Sequence, residues 1–107
     1  MITTTFELPG YSIVTSLGIV RGVHVRALGP LGSISAGLET IFGGKIRSYT
    51  NLCERTRKEA FDTLIKQAEA LGANAIIGVR YDANEITDGV TEVLAYGTAV
   101  IANKLLT

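Results

Sequence analysis

A chain of 107 residues with ten basic and ten acidic side chains has the size of one domain, 1–107, and lacks the net positive footprint that displaces counterions from nucleic acid. Its single cysteine excludes an internal disulfide, its first ten residues carry no basic-then-apolar leader, and its longest apolar stretch is too short to cross a bilayer. Hydrophobic residues make up 47% against 19% charged, more than a domain this small easily buries, so the expectation is a soluble cytoplasmic protein that associates with itself rather than with nucleic acid or membrane.

Residues 1–10 read as an arm closed by Pro9-Gly10. From Tyr11 to Leu28 the odd positions (Tyr11, Ile13, Leu17, Ile19, Val23, Val25) are apolar with Arg21 as the break, which is a strand period. Gly18 and Gly22 on the even face predict bulges or a bend, so the run fits two strand segments as well as one. "GPLGS" at 29–33 predicts a loop. Leu38, Ile41 and Phe42 then suit a short helix closed by Gly43-Gly44. The main helix is predicted from a capping-box spacing at Asn51 and Glu54, with Leu52, Cys53, Ala60, Phe61, Leu64, Ile65, Ala68 and Leu71 as its apolar stripe. Glu54/Lys58, Arg55/Glu59 and Asp62/Lys66 mark the opposite, solvated face, and Gly72 stops the helix.

The following strand starts at Ala75, with Ile76 on one face and Ile77 and Val79 on the other. A turn-rich loop over 82–89 and a last strand from Val90 to about Ala102 complete a β-α-β-β order. Val93, Ala95, Ala99 and Ile101 line one side of that strand; Val90, Leu94, Tyr96 and Val100 line the other. A sheet covered by one main helix should have one wet face, yet both faces are apolar. A second copy of the chain is the simplest cover.

No reaction is specified, and the chain reads as a binding protein rather than an enzyme. Cys53 is the only thiol and extends the helical stripe, which favours a buried structural role over a soft metal ligand. His24, the only histidine, has no carboxylate partner visible in the pattern and reads as a partly exposed surface residue. Asp82, Glu85 and Asp88 suit a solvated turn, though copies around a ring could hold a hard cation. The glycine-rich stretches match neither a phosphate loop nor a dinucleotide fingerprint, and no nucleophile–base set is present. Arg21 and Arg80 interrupt apolar strands and read as inter-subunit or strand-edge contacts, with Glu92 as a partner by alternation.

The segment from Phe42 to Asp82 resembles the core of the YbjQ-like family. The carrying residues are Gly43, Gly44 and Tyr49; Arg57 and Ala60; then Ala68, Gly72, Ala73, Asn74, Ala75, Ile76, Ile77 and Gly78, with a closing "GTAV" at 97–100. The resemblance implies a dodecin-like α+β subunit of β-α-β-β order, assembled into a closed homo-oligomeric ring, a pentamer. It also implies a binding or scaffold role under a heavy-metal-binding label that comes without an assigned activity. One thiol and one imidazole per chain fit that label only where symmetry gathers copies, so Cys53, His24, Asp82 and Glu85 are the metal-ligand candidates. The alternative is a dodecin-like carrier holding an aromatic or anionic small molecule between subunits.

Overall fold

The computed structural model describes residues 1–27 and 46–106. Strand β1 (Tyr11–Ala27), helix α1 (Ile46–Ala70), strand β2 (Ala75–Thr87) and strand β3 (Val90–Lys104) follow in that order. The strands form one antiparallel sheet in the order β1-β3-β2, with α1 packed across one face. This is the expected α+β arrangement. The loop at 29–33 and the short helix with Leu38, Ile41 and Phe42 fall outside the described residues.

β1 is one strand of 17 residues, not two. Register shifts between Ile13 and Thr15 and between Ser16 and Gly18 absorb its irregularity, and Gly18 takes a left-handed φ of 106° that favours glycine. Gly22 serves a different purpose: a β-carbon there would strike the Ala60 carbonyl and lie 2.7 Å from the Leu64 nitrogen. The even face, which carries Val20, Gly22, His24 and Arg26, therefore meets the helix. The apolar odd residues Ile19, Val23 and Val25 stand on the outer face, 80%, 43% and 53% exposed.

α1 is already helical at Ile46, so Asn51 sits inside the helix and does not cap it. Its buried row is Thr56, Ala60, Leu64 and Ala68, with Phe61 and Ile65 at the margin, and the small Ala60 lets its backbone descend onto Gly22. Two residues of the predicted stripe are exposed. Leu71 lies past the helix end, and Cys53, though at a suitable angle, lies about 10 Å nearer the N-terminus than Ala60, beyond the buried contact. At the other end, Gly72 (φ 85°) donates to the Glu69 carbonyl and Ala73 to that of Ala68, a Schellman closure.

β2 continues to Thr87, so the predicted loop over 82–89 shrinks to the two-residue turn Asp88-Gly89, with Gly89 at φ 73°. Aspartate-glycine is a strong hairpin signal that the surrounding polar residues obscured. A bulge between Ile77 and Arg80, with Gly78 at φ 62°, also resets the side-chain alternation. Val79 consequently joins Ile76 against the helix, while Ile77 alone faces the other side.

That other side has a cover at one end from within the chain. Leu8 packs with Ala75, Ile77, Val100 and Ala102, and Tyr11 borders them. The arm runs parallel to β2: Thr3 donates to the Ile76 carbonyl and Ile76 to that of Met1, while the two amides turned outward by the bulge, Gly78 and Val79, donate to Thr5 and Thr3. Asn74 locks the start of β2 to β3, donating to the Ala102 carbonyl and accepting from the Ala102 amide, each at 2.8 Å.

Candidate functional site

The densest polar cluster grows out of the close approach at Gly22. His24 and Arg26, two and four residues further along the same strand face, reach the helix where Glu59 and Thr63 stand one turn apart. Arg26 Nη2 donates to Glu59 Oε2, and His24 Nδ1 lies 3.3 Å from the same oxygen. The Thr63 hydroxyl donates to the Glu59 carbonyl at 3.0 Å, and His24 Nε2 lies within hydrogen-bond distance of that hydroxyl, also at 3.0 Å. Glu59 thus accepts from Arg26 and adjoins His24, and is not a solvated partner of Arg55. His24 gains the carboxylate that its sequence surroundings did not reveal. The solvated helix face carries Lys58–Asp62 at 3.1 Å and Glu54–Arg57 at 3.6 Å instead.

Cys53 borders a small hollow of about 100 Å³ beside Arg26, Thr56 and Arg57. Six residues of helix, about 9 Å of rise, separate it from Glu59 and the His24 cluster. Asp82 and Glu85 are strand residues, opposite Leu94 and Thr91, and by alternation they face opposite sides of the sheet. Glu85 Oε1 accepts from the turn amide of Gly89 at 3.4 Å. The four metal-ligand candidates, Cys53, His24, Asp82 and Glu85, are therefore not gathered within one chain. Among the described residues no group of three or more His, Cys, Asp or Glu could hold a metal ion.

A larger opening lies between the first half of α1 and the β2–β3 hairpin. It has a volume of about 550 Å³, with Phe61, Tyr81, Ala83 and Val93 on its apolar side and Arg57 and Lys58 at its rim. Tyr81 holds its phenolic proton more tightly than a free tyrosine, because burial disfavours the phenolate and Asp62 adds to this, against the opposing pull of Arg57. No sequence motif announces this groove, since its walls come from segments about twenty residues apart that meet only when the hairpin folds over the helix.

One of the two strand arginines, Arg80, also finds partners. Arg80 Nη1 donates to the carbonyls of Thr4 (2.7 Å) and Val79 (2.9 Å), and its guanidinium lies 5.5 Å from the centre of the Phe6 ring. Glu92 opposes Val25 and Asn84, not either arginine. None of the described helices is long and apolar enough to cross a membrane.

With this geometry established, comparison with known proteins is informative. A family model for YbjQ-like proteins, described as "Putative heavy-metal-binding", matches residues 1–103. A UPF0145 protein of Paraburkholderia phymatum is 59% identical over 97% of this chain and 94% of its own length. Its counterpart in Solibacter usitatus is 57% identical over 92% and 88%. Among solved structures, a protein of unknown function from the DUF74 family of Pediococcus pentosaceus aligns with a TM-score of 0.66 at 24% identity, covering 96% of this chain and 97% of that one. At that identity the likeness establishes a shared fold.

Proposed function

Since the chain belongs to the YbjQ-like family, whose description is one of heavy-metal binding rather than catalysis, we propose that it is a homo-oligomeric binding protein that takes a metal ion at a site completed between copies. The observation that carries this reading is the outer row Ile19, Val23 and Val25, three large apolar side chains exposed on the face that neither helix nor arm covers. Large apolar side chains exposed along one strand face, interrupted by Arg21 alone, suit an association surface. A single chain contributes one thiol and one imidazole, and soft metals favour several such ligands. Association multiplies Cys53, His24, Asp82 and Glu85 around a symmetry axis, so the missing ligands come from neighbours. The assembly proposed is a closed ring of dodecin-like subunits, a pentamer, in the cytoplasm.

Elemental analysis of untagged, purified protein tests the metal assignment. Metal in fixed ratio to chain, lost in Cys53→Ser or His24→Ala while the subunit number holds, is the expected result. Metal-free protein that takes up no zinc, copper or cadmium on dialysis overturns it. The groove beside Tyr81 favours a second reading: its size suits a small molecule, so the oligomer would act as a carrier. A coloured or fluorescent compound retained through purification, easily seen in a chain without tryptophan, would favour that reading over the metal.

A further inference from the structure

β1 and β2 are the outer strands of the sheet, on either side of β3, and each leaves part of an edge open. The Arg21 amide donates to Gln67 Oε1 at 2.7 Å, so it points away from β3. The ladder from Gly18 to Ala27 is unbroken, and Ile19, Val23 and Val25 therefore turn their N–H and C=O groups outward as well. By the same alternation, carried across β3, Tyr81, Ala83 and Glu85 present theirs on the far edge of β2. The arm closes that edge only as far as Val79. Among the described residues, the Arg21 amide is the one backbone group of this set with a partner.

Open edges of this kind are templates for another strand. Both outer strands run antiparallel to β3 and hence parallel to each other. A rotation about an axis along the strands sets β1 of one copy parallel to β2 of the next. In a parallel pair, one residue bonds to the two groups that flank the residue beside it. When the outward groups of Arg21 meet those of Tyr81 and Ala83, Arg21 lies beside Asp82. Both side chains stand on the outer face, since Arg21 opposes Tyr96 and Asp82 opposes Leu94, two positions apart on β3. Charge selects this register. A slip of two residues sets Arg21 against Arg80 in one direction and against uncharged Asn84 in the other. Arg21 and Asp82 are exposed, and neither belongs to an ion pair among the described residues.

Resting on the self-association proposed above, we infer that the edge of β1 pairs with the hairpin half of β2 (81–87) in a second copy, with Arg21 bonded to the partner's Asp82. The carbonyl of the partner's Tyr81 replaces Gln67 on the Arg21 amide. The contact is heterologous, because each copy offers a different edge on each side, and such contacts extend from copy to copy until a ring closes. Ile19, Val23 and Val25 belong to the same strand, so the exposed apolar row is continuous with the paired edge.

Sedimentation velocity of the full chain tests this contact, with circular dichroism of each variant to confirm the fold. Arg21→Asp and Asp82→Arg should each weaken association by about tenfold, because either reversal sets like charges side by side. The double variant Arg21→Asp/Asp82→Arg should restore it. Ala83→Pro removes an outward donor while sparing the bonds between β2 and β3, and should also lower the subunit number. Wild-type subunit number in both single reversals, or no recovery in the double variant, overturns the edge contact and leaves association through another face standing. A wild type that stays a single chain at every concentration overturns both this contact and the association reading, and leaves the open edges to a strand of a different protein.

Discussion

Gly22 of β1 and Ala60 of α1 meet backbone to backbone, with no room between them for a β-carbon. Because the contact is with main-chain atoms, no rotamer change can relieve it. Gly22→Ala should force helix and strand apart and destabilise the fold by about 3 kcal/mol, the upper range for overpacking. Urea denaturation measures this. Gly10→Ala, where no atom lies near the added carbon, is the comparison for glycine replacement with space available, although its positive φ carries a strain of its own.

Glu59 joins Arg26 and His24 to the helix through one carboxylate oxygen. The side chains of Glu59 and Arg26 remain 30% and 40% exposed, so solvent screens the pair. A double-mutant cycle with Arg26→Ala and Glu59→Ala should give a coupling of about 1 kcal/mol. A coupling near zero would mean that the strand end is held by packing alone.

The arm is structural. Leu8 is 7% exposed against Ile77 and Val100, so Leu8→Ala should cost about 2–3 kcal/mol. Hydrogen exchange should show the amides of Ile76, Gly78 and Val79, bonded to Met1, Thr5 and Thr3, losing protection in the same variant.

The helix and the element order were legible because each rests on local signals: the apolar row at 60, 64 and 68, the αL glycine at 72, and alternation along β3; the hairpin turn at Asp88-Gly89 was hidden among polar residues that read as a longer loop. The faces of β1 were harder to read. Its helix side carries Gly22, His24 and Arg26 and looks polar, because a close helix requires a glycine and the two polar residues find partners 35 and 33 positions away in Glu59. The bulge at Gly78 likewise returned Val79 to the side of Ile76, since one extra residue inverts every later side chain. The candidate ligands could be named from the sequence, but their separation along α1 and across β2 is a tertiary fact.

Tyr81 supplies a pH dependence. Its folded-state proton affinity is raised by burial, so the protonated form is favoured on folding. The associated stability is fully present below the ordinary tyrosine value of 10.0 and is lost as pH rises through the higher folded value. Phenolate absorbance during alkaline titration should show a late-titrating component that disappears in Tyr81→Phe.

Ile19 is 80% exposed in the single chain, so Ile19→Glu should change the stability of an isolated subunit by no more than about 0.5 kcal/mol. In an assembly that covers this face, the same change buries an unpaired charge and should lower the subunit number. Sedimentation velocity of the variant distinguishes the two outcomes.

Native mass spectrometry of the untagged wild-type chain tests the central claim most directly. A closed ring predicts one dominant species at the mass of five 11.4 kDa chains, with any bound metal or ligand appearing as a fixed increment. A spectrum of single chains that persists as concentration is raised would contradict the assembly, and with it the binding site completed between copies.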